Sequence, residues 1–169
     1  MPRIPLSDQP DDARLWVFAA RDALSAEGAA RVETEVDAFL EGWAAHGHPL
    51  TSSRELAEGR FLFVAVDRAS EPPSGCSIDA MVRHLRSLES SVGTQLVAHG
   101  PVWYRDAHGD VQCVERAGFK ARAAEGEVDL TTPVFDTTIT ELGTLRAGRF
   151  EVPAAESWHG PAFLGAPRS

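Results

Sequence analysis

The sequence is nearly without lysine. Fifteen of its sixteen basic residues are arginine, and Lys120 stands alone. Basic charge is also in the minority, since twenty-five acidic residues leave a formal net charge of −9. The deficit runs through the whole chain, −6 over residues 1–99 and −3 over residues 100–169, and neither half carries a basic stripe. A nucleic-acid partner needs a cationic footprint that neutralises phosphates, so that class is excluded. Anionic membrane surfaces are excluded on the same ground. Cysteine is scarce, with only Cys76 and Cys113 and no C-x-x-C. That rules out a disulfide framework, a thioredoxin-type pair and a zinc knuckle. Both thiols are expected to be reduced, at least one as a buried apolar filler. No fully apolar run exceeds the six residues of Phe61–Val66, far below the roughly 18 that a membrane helix needs. The first residues hold no apolar core of signal-peptide length, so the expected location is the cytoplasm.

What is present is the composition of an ordinary globular protein, 169 residues with 43% hydrophobic and 24% charged. That suits one compact domain or two small ones. Residues 1–13, with three prolines and three aspartates, read as a loose arm. Leu15–Ala20 is a short apolar run rich in β-formers and reads as a strand. Ser25 can cap a helix in which Val32, Val36, Phe39, Leu40 and Trp43 form one apolar stripe, with Gly47 placed to end it. Thr51–Leu56 reads as an edge strand. Phe61–Val66, apolar at every position, reads as a strand buried on both faces. Glu71–Gly75 is a breaker-rich loop. A second helix follows, with Ile78, Met81, Val82, Leu85, Leu88 and Val92 on one face, stopping at Gly93. Thr94–His99 can supply a further edge strand.

Strand, helix, strand, strand, helix, strand is the ferredoxin-like βαββαβ order. The expected fold class is therefore α+β, with a ferredoxin-like unit over 14–100. A small β-rich unit is expected over 101–156. It starts with a hairpin, Val102–Arg105 and Val111–Val114, around a Gly-containing turn. A short helix over Phe119–Glu125 ends at Gly126, and Thr132–Asp136 and Thr137–Leu142 look extended. The tail, 157–169, is expected to fold back onto the first unit through Trp158 and His159.

Four stretches carry a resemblance: 43–50 (Trp-Ala-Ala-His-Gly-His-Pro-Leu), 74–79 (Ser-Gly-Cys-Ser-Ile-Asp), 132–136 (Thr-Pro-Val-Phe-Asp) and 153–159 (Pro-Ala-Ala-Glu-Ser-Trp-His). With the Leu15-Trp16-Val17-Phe18 opening they resemble a small family of uncharacterised bacterial proteins often labelled "ABC transporter ATPase". An ATPase of that kind needs G-x-x-x-x-G-K-[ST] to hold phosphates. The sole lysine follows Gly118-Phe119 and precedes Ala121, so there is no P-loop. Residues 102–154 are also similar to bacterial GYF-like domains, whose eukaryotic relatives bind proline-rich peptides on an aromatic surface.

One cluster could carry chemistry. Cys76 falls at the start of the second helix, with Ser74 or Ser77 as N-cap. Unpaired backbone N–H groups and the positive end of the helix dipole there favour a thiolate. His46 and His48 are expected at the C-terminal end of the first helix, and His159 near the chain's end. A cysteine beside a histidine is a nucleophile with its base. The candidate catalytic set is therefore Cys76, His46 and His159, with Asp79 orienting the imidazole. The bland reading is a capped helix with a small filler, and Asp79 paired with Arg83 four residues on. The helix start is also a natural cradle for an anion, so Gly75, Ser77, His48, Arg83 and Trp158 are candidate ligand-binding residues. Two histidines do not complete a zinc site without a third ligand. No metal and no cofactor are expected.

The reading adopted from these residues is a non-enzymatic protein that binds a protein, a peptide or a small ligand. The alternative is a thiol-dependent hydrolase or acyltransferase using Cys76 with a histidine base. Edge strands of this fold pair readily between copies, so a homodimer is also an expectation.

Overall fold

The computed structural model describes residues 3–69 and 72–165. It combines helices and sheets in an α+β arrangement, in two units taken here one at a time. The first holds the residues up to Ala98 together with Thr138–Ala147, and the second holds His99–Thr137 and the residues from Gly148 on. The expected unit over 101–156 is not continuous, because 138–147 belongs with the first. Parts of the expected arm, of the loop at Glu71–Gly75 and of the tail lie outside the described residues.

In the first unit, β1 (Arg14–Ala19) leads to α1 (Ala26–Glu41), capped by Ser25, whose hydroxyl accepts from the Gly28 N–H. A two-rung hairpin follows, β2 (Ala44–Ala45) and β3 (His48–Pro49). Then come β4 (Ser52–Ala57), β5 (Phe61–Val66) and α2 (Gly75–Val92). The sheet runs β1-β5-β4, all antiparallel, with Leu15 opposite Ala65 and Arg54 opposite Val64. The apolar run of β5 is central and buried at all six positions. One face of it, Leu62, Val64 and Val66, packs with Val32, Val36 and Leu40 of α1 and with Met81, Leu85 and Leu88 of α2. Arg54 joins β4 to α1, donating to both Asp37 oxygens at 2.8 and 2.9 Å and to Glu33 at 2.8 Å. That bond holds the Asp37 carboxyl below its ordinary range.

Four expectations are corrected here. First, α1 stops at Glu41 with Gly42 as its cap, not at Gly47. Gly47 (φ +79°) and His46 (φ +51°) instead form the turn of the β2–β3 hairpin. Two successive positive φ angles are what a type I′ turn requires. Trp43 keeps its buried place because its indole N–H donates to the Ser77 carbonyl at 2.8 Å. Second, the arm is not loose. The Ile4 N–H donates to the Ser52 carbonyl, the Ser53 hydroxyl to the Ile4 carbonyl, and buried Gln9 reaches Thr51 and Ser53. Third, Thr94–His99 forms no strand. The Glu89 carboxylate takes the Leu96 and Val97 N–H groups at 2.6 and 3.1 Å, removing donors a ladder would use. The segment meets the residues after β1 through the Gln95 carbonyl and side-chain oxygen, both accepting from Arg21, and through the Thr94 hydroxyl, which accepts from the Asp22 N–H. The sheet therefore has three of the four strands of a ferredoxin-like unit, in the order that fold requires. Fourth, Thr137–Leu142 is not a strand. It touches β1 through one bridge, Arg14 to Glu141, and then turns into a single helical turn, Leu142–Arg146.

The second unit is a four-stranded antiparallel sheet in the order β7-β6-β8-β9, made of β6 (Val102–Arg105), β7 (Val111–Val114), β8 (Pro133–Phe135) and β9 (Glu151–Pro153). The hairpin is as expected. The helix between β7 and β8, α3, runs Arg116–Ala124, starting earlier than Phe119. Its core gathers Val102, Tyr104, Phe119, Val128, Val134 and Ala154. After β9 the chain makes a 3-10 turn, Ala154–Glu156, and a π-helical turn, Gly160–Leu164. A Cβ on Gly160 would lie 2.7 Å from the Ala154 carbonyl oxygen, so only glycine fits there. The described tail belongs to this unit, with Phe163 against Phe119 at 5.6 Å between ring centres.

Candidate functional site

Two concavities, one in each unit, hold the groups that could act. The first is at the start of α2. Ser74 caps the helix and Ser77 closes a capping box with it, the Ser77 N–H donating to the Ser74 hydroxyl oxygen. The buried Ser77 hydroxyl also donates to the Ala44 carbonyl at 3.1 Å. Together with the Trp43 bond, this clamps the β2–β3 hairpin against the helix start. His46, at the tip of that hairpin, then lines the same shallow concavity of about 450 Å³ as Ser74, Gly75, Cys76 and Ala80. Cys76 is an exposed free thiol and His46 is exposed. The Gly75 and Cys76 N–H groups have no intrahelical acceptor, as for any first turn.

Of the sequence-derived candidates, Cys76, His46, Gly75 and Ser77 are thus brought together, though the Ser77 hydroxyl, N–H and carbonyl are all engaged in the clamp. His48 is exposed on β3, opposite Ala45, and does not line the concavity. His46 and His48 stand on a hairpin, not at a helix end. Asp79 and Arg83 are exposed on α2 and form no ion pair with each other. Neither lines the concavity, so Asp79 is not seen to orient the imidazole. Cys113 is half-buried, so neither thiol is the buried filler anticipated.

His159 lies in the second unit and is 2% exposed. Its Nδ1 pairs with the Ser157 hydroxyl at 2.7 Å, and its ring stacks on Trp158 at 3.9 Å. Burial pushes its pKa down to about 4, Asp136 opposing and Arg116 reinforcing the shift. At neutral pH it is an uncharged packing group. Trp158 is half-buried beneath the Arg116 guanidinium and beside Phe163. Both residues serve the aromatic cluster on Phe119 rather than the thiol's concavity. Among the described residues no group of three His, Cys, Asp or Glu side chains gathers as a metal site.

The second concavity went unnoticed in the sequence. It is an open groove of about 610 Å³ along the flank of α3. Lys120 and Ala123 line it from the helix, Val128 and Leu130 from the following loop, and Phe163 and Leu164 from the π-helical turn. Asp129 also lines it, its carboxylate accepting the Thr131 N–H at 2.8 Å and the Thr131 hydroxyl at 2.6 Å. Those bonds hold it below the ordinary carboxylate range. The available signal was Lys120, Ala123 and Ala124 at i, i+3 and i+4, one helix face carrying the chain's only lysine. A third hollow, beside Tyr104 and the β6–β7 turn, is walled by committed groups. Arg105 is held by Glu151 at 2.8 and 2.9 Å, and Asp106 by Gln112 at 2.8 Å.

Comparison with family models, with curated proteins and with solved structures found no match for this chain.

Proposed function

We propose that this chain is a non-enzymatic cytoplasmic binding protein, of the uncharacterised family its motifs resemble, and that it takes a small apolar ligand in the groove along α3. The single observation that supports this is the groove itself, open to solvent yet floored by Val128 from the unit's core. Its size falls within the ordinary range of small-molecule sites, roughly 300–1,000 Å³. The aromatic platform that the GYF-like resemblance implies is missing, because Trp103 and Tyr104 are buried. That favours a small ligand over a proline-rich peptide. The test is titration with the uncharged dye N-phenylnaphthylamine. Saturable emission enhancement is expected, with affinity falling about tenfold in Ala124→Trp, which obstructs the groove from an exposed lining position. Absence of saturable binding, or binding indifferent to Ala124→Trp and Leu130→Asp alike, overturns the reading.

A second reading rests on Cys76 and His46 lining one concavity. There the protein is a thiol-dependent hydrolase or acyltransferase. His46 takes the thiol proton, the sulfur attacks an acyl carbon while the first-turn N–H groups receive the developing oxyanion, and the leaving group departs with the proton from His46; water or an acceptor nucleophile then cleaves the thioester and frees the thiol. Iodoacetamide alkylation tests it. The wild-type rate should exceed that of His46→Asn about tenfold at neutral pH. Equal rates remove the enzyme.

A further inference from the structure

The three cations of α3 differ in how they are used. Arg116 donates to the Gly100 carbonyl at 3.0 Å and covers the Trp158 ring. Arg122 faces Glu127 at 3.8 Å and donates to the Gly118 carbonyl. Lys120 is exposed and has no ion-pair or hydrogen-bond partner among the described residues. Among the described residues it is also the one cation lining the groove. The groove's carboxylate, Asp129, stays charged and accepts from the Thr131 N–H and hydroxyl, Glu127 faces Arg122, and neither carboxylate pairs with the Lys120 ammonium. An unpaired ammonium beside apolar walls is complementary to a ligand with an apolar body and one negative charge. In a chain of net charge −9, a single lysine balances a monoanion and not a polyanion.

We propose that the groove selects amphiphilic monocarboxylates, with the carboxylate at the Lys120 ammonium and the apolar body on Val128, Leu130, Phe163 and Leu164. This rests on the binding reading above and adds the ligand's chemical class.

The experiment displaces bound N-phenylnaphthylamine from the full chain with three probes of one chain length, decanoate, decanol and decyltrimethylammonium. All are used below their micelle-forming concentrations at neutral pH and low salt. Decanoate should displace the dye at about tenfold lower concentration than decanol, as for a charge-assisted contact. The cationic probe should be weakest, and added salt should narrow the spread. Lys120→Gln should bring decanoate to the level of decanol while leaving decanol unchanged. Lys120→Arg should restore the preference. Equal displacement by decanoate and decanol in the wild type overturns the proposed ligand class while the binding reading stands. A preference that survives Lys120→Gln also overturns it, by assigning the charge to another cation. If the dye itself does not bind, the binding reading and the ligand class fail together.

Discussion

At the start of α2 the walls are small residues and main-chain groups, held by serine hydroxyls, and the reactive groups are a thiol and an imidazole. Along α3 the walls are apolar side chains from three separate stretches, and the polar element is one unpaired lysine. The first arrangement is made of hydrogen bonds of fixed direction, so it is rigid where it is polar. The second is made of non-directional apolar contact, so its shape depends on the packing of Phe119 and Phe163 beneath it. The contrast teaches that two concavities of comparable size, about 450 and 610 Å³, can offer different chemistry, a thiol with an imidazole in one and a lone ammonium in the other.

Removing the support of one concavity should have the largest effect. Phe119→Ala empties a fully buried position beneath the groove. It should destabilise the protein by about 4 kcal/mol, read by urea denaturation, and abolish N-phenylnaphthylamine binding. If dye affinity survives, the groove does not depend on that packing.

Acid probes the same aromatic cluster. His159 has a folded-state pKa of about 4 against 6.5 for the free side chain. The unfolded chain therefore takes up the proton first. Stability from the neutral imidazole is full above pH 6.5, falls as the pH drops toward 4, and levels off below that. The loss across this window should be about 3 kcal/mol before any screening. Denaturant midpoints at successive pH values measure it. In the upper part of the window, between pH 6.5 and about 5 and above the range where the depressed carboxyls of Asp37 and Asp129 contribute, the slope should be lost in His159→Phe, and a wild-type slope retained there assigns the dependence elsewhere.

Ser77→Ala sharpens the other side. It removes the capping box and the bond to Ala44, for a loss of about 2 kcal/mol. It should change the alkylation rate of Cys76, because the hairpin carrying His46 loses its clamp, and leave dye binding as it was. The smallest effect is expected at Asp79→Ala and Arg83→Ala. Each should stay within about 0.5 kcal/mol, since the two side chains are exposed and unpaired with each other. A coupling well above that in a double-mutant cycle would reinstate the ion pair.

Much of the first unit was legible. Ser25, Ser74 and Gly93 mark helix ends because capping bonds span only a few residues. The six apolar positions of β5 announce a central strand. The α1 stripe misled at its end. Trp43 continues the helical spacing, but its burial is secured by an indole bond to Ser77 across the fold, which periodicity cannot see. Thr94–His99 failed as a strand for a similar reason, its donors being taken by the carboxylate of Glu89, a helix residue. At the candidate site, Cys76 was placed correctly at a helix start. His46 reached it by a turn geometry that its positive φ betrays only in coordinates. His159, which follows a tryptophan directly in the chain, is a packing group.

Local pattern was enough to mark most helices and strands and several of their ends. Each of these depends on interactions within a few residues. Tertiary structure alone decided which cysteine and histidine share a surface, and that Lys120, Leu130 and Phe163 line one groove. Those meetings are set by sheet register, aromatic packing and the turn that Gly160 permits. Such contacts join residues far apart in the chain, and no local pattern encodes them.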